Sequence, residues 1–397
     1  MTVSEVASFP VAPLPPDAVA AAARPFGASR MLPAAAYSSE AVFRWEQRHL
    51  FAAGWYCLGR RDELMPDGST QRGIRVGDVP VLLTQPAGAA DEPGIDSVHA
   101  FADTCRHRGH ELMGDGGCAA GAAITCPYHA WSYRLDGSLI AAPGFRESEQ
   151  FVRAEHSLVE LPLQMWQGWV FINATGDAPP LSTWLGDLDT LVGPYAPGEL
   201  IRAETHRYTL AANWKIITEN YHECYHCPQI HPELCEVTPP NSGDNYHMAG
   251  AWVGGSMTLR DEAVTMSLTG RSDGVPLPGA PPRDVLYLGL LPNLLISLHP
   301  DYVMAHRFEP TGPASTEVEC SWLFSTESVA SEGFSPSYAV DFWDLTNRQD
   351  WNACESVQRG VSSPHYRPGP LAPAEDAVHD FVSRIARAYT GSPLHEN

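Results

Sequence analysis

At 397 residues, 44% of them hydrophobic, the chain has material for two ordinary domains with real cores, which excludes wholesale disorder. A net charge of −22, with Lys215 the single lysine and no Lys/Arg cluster, excludes a nucleic-acid binder. No apolar run approaches the roughly eighteen residues of a membrane span, and the N-terminus lacks a basic region followed by an apolar core. No membrane association is therefore expected, and a cytoplasmic location is.

Residues 1–36 are rich in Ala and Pro (PVAPLPPDAVAAAARPF) with little periodic pattern, and predict a loosely ordered arm. From Ser38 the text SSEAVFRWEQRHLF predicts a capped helix over 37–54. Ser39 is its N-cap, and Val42, Trp45 and Leu50 recur near helical spacing. This helix is expected to pack with the C-terminal half.

Between 55 and 170 short strand-like runs (WYCLGR, IRVGDVPVLLTQ, VHAFADTC, GWVFINAT) alternate with Gly, Pro and Asp, which predicts a compact antiparallel β domain. Within it stands Cys105-Arg-His107, then eighteen residues, then Cys126-Pro-Tyr-His129. Each half offers one thiolate and one imidazole from a tight loop. Two thiolates on one iron and two imidazoles on the other is how a Rieske [2Fe–2S] cluster is held. A Cys₂His₂ zinc site is the competing reading, although zinc fingers usually pair Cys with Cys and His with His. Cys118, in the tip between the halves, reads as a bystander. The nine cysteines are an odd number without an export signal, which does not look like a disulfide framework.

From 171 to 397 the predicted elements mix. RAETHRYTL is a strand that gives way to a helix around 213–227; DVLYLGLLPNLLISLHPDYVMAHRFEP and TEVECSWLFSTES are strands of a larger antiparallel sheet. SYAVDFWDLTNRQDWNACESVQRG and EDAVHDFVSRIARAYTG are long amphipathic helices. The fold class is α+β, an all-β module followed by a sheet covered by helices.

NWKIITENYHECYHCPQIHPE offers Glu223, His226 and His231. Glu223 and His226 lie three apart and would share a helix face, and Pro228 turns the chain so that His231 can reach the same metal. Two histidines and one carboxylate form the facial triad that leaves positions open for O₂. Asp350 is the candidate carboxylate, with Asp341, Asp344 and Glu355 as rivals. His222 reads as a supporting or surface residue and Glu219 as an outer hydrogen-bond acceptor. Cys224-x-x-Cys227 has no thioredoxin-like pattern around it and reads as two small buried helix residues.

With CRHRG, CPYHAWSYRLDG and the NWK…ENYHECYHC segment in this order, residues 32–391 resemble the Rieske non-haem iron oxygenase α subunits. The resemblance implies an N-terminal all-β Rieske [2Fe–2S] domain and a C-terminal helix-grip catalytic domain. Cys105, His107, Cys126 and His129 would hold the cluster, and His226, His231 and Asp350 a mononuclear Fe(II). It also implies a head-to-tail homotrimer in which Glu223 bridges His129 of one subunit and His226 of the next. Electrons from NAD(P)H would arrive through a separate flavin and iron–sulfur reductase, because this chain has no G-x-G-x-x-G fingerprint. Glutamate at the bridge resembles the branch acting on quaternary ammonium compounds such as glycine betaine, carnitine and choline. The function implied is O₂-dependent hydroxylation or N-demethylation of a small quaternary or tertiary amine. The alternative is hydroxylation or cis-dihydroxylation of an aromatic ring. A cation needs aromatic faces, and Trp252, Tyr287 and Tyr302 are the pocket candidates.

Overall fold

The structure is a computed structural model that describes residues 10–66, 68–89, 94–148 and 150–396. Its backbone contacts divide into two compact units, residues 46–181 and residues 1–45 with 182–397.

The larger unit is built on a seven-stranded antiparallel sheet. Its strands are β1 (Ile201–Leu210), β2 (Asp244–Asn245), β3 (Trp252–Thr258), β4 (Asp284–Leu290), β5 (Leu294–Leu298), β6 (Tyr302–Gly312) and β7 (Ser315–Phe324), in the order β1-β7-β6-β5-β4-β3-β2. β5, at the centre of the sheet, is buried along its whole length, and burial alternates only where β6 ends and β7 begins, on either side of the turn that joins them. The helices are α1 (Trp214–Tyr221), α2 (Cys227–Ile230), α3 (Pro232–Val237), α4 (Ser337–Val361) and α5 (Asp376–Tyr389). Asn213 caps α1 by accepting from the Lys215 amide at 3.0 Å. Phe342 and Trp343 of α4 enter one core with Tyr302, Met304, Trp322 and Phe324 of the sheet. This is the antiparallel sheet with long helices that the periodicity predicts.

The arm differs from expectation. Residues 1–9 lie outside the described residues, but Pro16–Ala22 and Ala34–Ser38 are helical. Val19, Ala22 and Leu32 are buried, and the Ala12 amide donates to the Tyr389 carbonyl at 2.9 Å. Sparse apolar residues among the alanines suffice to dock the segment, which composition alone does not reveal. The predicted helix over 37–54 is also divided. Glu40–Glu46 is α-helical and Gln47–Ala52 continues as a π-helix, with the change of compact unit falling between Trp45 and Glu46.

The smaller unit, wider at both ends than the 55–170 predicted, holds three short antiparallel sheets. One of them (Ala123–Thr125, Ser132–Arg134, Leu139–Ala141) carries the second cysteine loop at its first turn. Among the described residues no helix is long and apolar enough to cross a membrane.

Candidate functional site

In the smaller unit two loops face each other. The Cys105 amide donates to the His110 carbonyl and the Cys126 amide to the Trp131 carbonyl, each at 2.8 Å, closing both loops. Gly109 (φ 73°) and Ala130 (φ 57°) take the left-handed conformation that such tight closures require. Cys105 and Cys126 are buried, with the Tyr133 hydroxyl 3.4 Å from Cys105 Sγ. The His107 ring stacks on Trp131 at 4.9 Å and lies 4.7 Å from the His129 ring. His107 Nδ1 and His129 Nδ1 are buried without a hydrogen-bond partner. Buried polar atoms are rarely left so, and orphaned imidazole nitrogens beside buried thiols are what an iron–sulfur cluster would satisfy.

In the larger unit His226, His231 and Asp350 converge. Asp350 Oδ1 lies 2.8 Å from His231 Nε2 and 3.3 Å from His226 Nε2, and the two nitrogens are 3.2 Å apart. Adjacent ligands on an octahedral ion with bonds of about 2.1 Å stand about 3 Å apart, so the triangle fits one face of such an ion. Among the described residues only this group brings three ligand atoms within 4.8 Å of one another. No three of the four cluster candidates bring their ligand atoms that close together.

The electrostatics agree with a site built for a cation. Burial opposes charge on His226, but hydrogen bonds to Asp350 and Glu223 outweigh it and lift this histidine to about 10. Burial would raise Asp350, yet contacts with His226 and His231 hold its carboxyl below the usual range. A divalent ion would replace the proton now shared there. The other nitrogens are fixed by outer partners. His226 Nδ1 donates to Glu223 Oε1, and His231 Nδ1 donates to Gln349 Oε1 at 2.7 Å. Each histidine thus presents Nε2 to the common point.

One local expectation is corrected. Glu223 and His226 do not share a helix face, because α1 ends at Tyr221 and α2 begins at Cys227. Their contact comes from a turn in which Glu223 accepts from the Tyr225 and His226 amides. The same break lets Cys224 and Cys227 approach to a Cα separation of 4.9 Å as a disulfide, instead of standing as two thiols on a helix.

Residues 54–155 match the Rieske [2Fe-2S] domain, and residues 197–391 match the ring hydroxylating alpha subunit (catalytic domain). The carnitine monooxygenase oxygenase subunit of Escherichia coli (strain K12) is 34% identical over 351 residues, covering 85% of both chains. The chain belongs to the Rieske oxygenase α-subunit family. The glycine betaine monooxygenase oxygenase subunit of Chromohalobacter salexigens is 29% identical over 400 residues, covering 92% of this chain and 87% of its own. A solved quaternary ammonium Rieske monooxygenase, described with carnitine oxidation and inter-subunit electron transfer, superposes with a TM-score of 0.71 at 25% identity. It covers 96% of this chain and 100% of its own.

As a Rieske oxygenase the chain is an oxidoreductase whose cofactors are a [2Fe–2S] cluster and a mononuclear non-haem iron. Next to the triad lies a cavity of about 450 Å³. Of the three aromatic candidates only Tyr287 lines it. Trp252 is buried away from it, with Nε1 donating to the Ala249 carbonyl. Tyr302 shares the cavity's face of the sheet but lies deeper. Its hydroxyl donates to the Met266 carbonyl and accepts from Trp343 Nε1.

The aromatic walls that sequence reasoning missed are Tyr221, Trp343 and Trp351. Tyr287 meets Tyr221 edge-on at 5.8 Å and Trp343 at 6.3 Å. Trp343, Thr346, Asn347, Asp350 and Trp351 all line the cavity at helical spacing, a signal readable in the sequence once Asp350 is chosen. His222 is neither surface nor a ligand; its buried ring packs over Gly289. Glu219 accepts from the Tyr37 hydroxyl at 2.8 Å and not from a metal-site histidine.

Proposed function

We propose that the chain is the oxygenase component of a multicomponent system that hydroxylates a carbon next to nitrogen in a small quaternary or tertiary amine. The observation that carries this reading is the aromatic wall of Tyr221, Tyr287 and Trp343 beside the His226–His231–Asp350 triangle. An alkylated ammonium has few or no hydrogens to donate, and π faces hold it with about 0.5–2 kcal/mol per contact. The relatives are named for carnitine and glycine betaine, both of which carry a trimethylammonium group.

In this reading Cys105, Cys126, His107 and His129 hold the cluster, and His226, His231 and Asp350 hold the mononuclear iron. When bound, these groups supply electron storage and reductive activation of O₂. The chain's own residues do the rest. Glu223 fixes His226 by accepting from Nδ1, and its second oxygen is the proposed bridge to His129 of the partner subunit in a homotrimer. Gln349 fixes His231. The aromatic wall holds the cation so that an N-methyl carbon faces the triad, while Leu295, Met257 and Met304 exclude water from the far wall. One atom of O₂ enters the C–H bond and the other leaves as water, consuming two electrons and two protons. NAD(P)H provides the electrons through a separate flavin and iron–sulfur reductase. The hydroxylated N-methyl group departs as formaldehyde. A cytoplasmic location accords with this dependence on NAD(P)H.

The aliphatic side of the cavity, Leu234, Leu295, Met257 and Met304, favours a second reading. That reading is hydroxylation or cis-dihydroxylation of an aromatic ring. A surrogate reductase, NADH and a panel of N-methyl cations and aromatic acids separate the two. Formaldehyde with matched O₂ uptake is expected; phenols or dihydrodiols with no amine turnover overturn the amine reading.

A further inference from the structure

The turn that carries Glu223 and His226 is closed by a covalent bond that the proposed reaction does not use. Cys224 and Cys227 form a disulfide whose ring encloses Tyr225 and His226, and the Cys227 amide donates to the Cys224 carbonyl at 3.3 Å across the same ring. Both cysteines line the cavity beside the triad, Cys224 half-buried and Cys227 buried. The other seven cysteines are free thiols. In a reducing compartment, disulfides that do form are mostly transient and serve catalysis or redox sensing.

The closed ring decides what Glu223 can do. The two amides it encloses, those of Tyr225 and His226, both donate to Glu223 Oε2, while His226 Nδ1 donates to Oε1. A carboxylate oxygen offers about two lone-pair sites. The two amides therefore fill Oε2, the oxygen that a bridge to the partner subunit's His129 needs. Opening the bond removes the crosslink that holds these amides on Glu223, and the turn is free to swing them away.

We propose that Cys224 and Cys227 are a thiol–disulfide switch on electron delivery: the disulfide ties Glu223 to its own turn, and the dithiol frees it for the partner subunit. The inference rests on the bridge role proposed for Glu223 and on no particular substrate. The step is an exchange with a small dithiol. One of its thiolates attacks the more accessible Cys224 sulfur, and Cys227 leaves as a thiolate that takes up a proton. The second thiol of the reductant then displaces Cys224. Two electrons and two protons reach the cysteines, and the reductant is left as a disulfide. A small-molecule disulfide runs the same exchange backwards.

The iron-loaded full-length protein is equilibrated without oxygen in reduced or in oxidised dithiothreitol and then desalted. Alkylation with iodoacetamide followed by peptide mapping counts the thiols at Cys224 and Cys227, a readout independent of activity. Both are expected to be alkylated after reduction and neither after oxidation. The cluster of each form is then reduced with stoichiometric dithionite, and its reoxidation by O₂ is followed by absorbance. The disulfide form is expected to reoxidise about 10–100-fold more slowly than the dithiol form. Cys227→Ser, which cannot close the ring, is expected to show one rate in both buffers. Alkylation that ignores the buffer, equal rates for the two forms, or a faster disulfide form overturns the switch. Glu223→Gln separates this from the bridge reading: if it reoxidises as fast as the parent dithiol, the bridge fails as well.

Discussion

His231 donates a hydrogen bond from Nδ1 to Gln349 Oε1 at 2.7 Å, and Gln349 in turn donates from Nε2 to Glu233 Oε2 at 3.4 Å. The chain from α3 to α4 therefore decides which nitrogen of His231 faces the triad. Removing the acceptor frees the ring to rotate or change tautomer. Gln349→Leu is expected to weaken mononuclear iron binding by about 10–100-fold. Iron titration of the apoprotein reads this directly, and an unchanged Rieske absorbance shows that the other unit is intact.

Asp350 and Glu223 both contact His226, but from opposite nitrogens. Asp350→Ala and His231→Ala are expected to empty the mononuclear site, leaving about two irons per chain where the parent holds about three. Glu223→Gln keeps all three yet loses about 10–100-fold or more in turnover. Loss of the mononuclear iron in Glu223→Gln with retention in Asp350→Ala would reverse the two roles.

A Cβ built on Gly289 would stand 2.4 Å from His222 Nε2 and 3.0 Å from Cε1. The glycine makes the space in which the His222 ring lies along the cavity wall. Gly289→Ala is expected to cost about 1–3 kcal/mol of stability through overpacking. Shrinking the ring in His222→Ala should recover much of that loss in the double variant, a non-additivity that thermal unfolding of all four proteins measures. Simple additivity would mean that the two side chains do not compete for this space.

Burial pushes the Glu219 carboxyl up to about 8, with the Tyr37 hydroxyl and Lys215 opposing it only in part. In the unfolded chain the same group ionises near its ordinary value of 4.5. The folded state therefore keeps a proton that the unfolded state releases as pH rises between these values. The stability from the neutral carboxyl is complete below the lower value and is lost by the upper one. Glu219→Gln cannot ionise and still accepts from Tyr37. It is expected to match the parent near pH 4.5 and to exceed it increasingly up to pH 8, by about 1–3 kcal/mol. A difference independent of pH would show that Glu219 is charged in the folded protein.

The cluster loops were legible because each carries its chemistry within four residues, Cys105 to His107 and Cys126 to His129. The surroundings of the triad were legible in part, since His226, His231 and the supporting Glu223 lie within nine residues of chain. Asp350 lies more than a hundred residues away and had rivals in Asp341, Asp344 and Glu355 until the resemblance favoured it. Two errors had one cause. A helix through 213–227 would put Glu223 over His226 and Cys224 and Cys227 on the helix, whereas the chain unwinds after Tyr221. Pocket aromatics were the least legible. Trp252 and Tyr287 lie on neighbouring strands, yet which face each presents depends on a register that appears only when the strands pair.

Trp343 and Asp350 stand on the same unbroken helix, seven residues apart, which is about 10 Å along its axis. On the proposed function one end of that interval would belong to the wall that holds the substrate's head and the other to the metal, so the helical pitch would act as a ruler between them. Thr346 and Asn347 are the graduations. A change of side-chain size there would shift which carbon of a longer substrate is presented for oxidation, while grip and metal stay where they are. Regiochemistry in this scaffold can thus drift through two positions that lie between the ends of the measure.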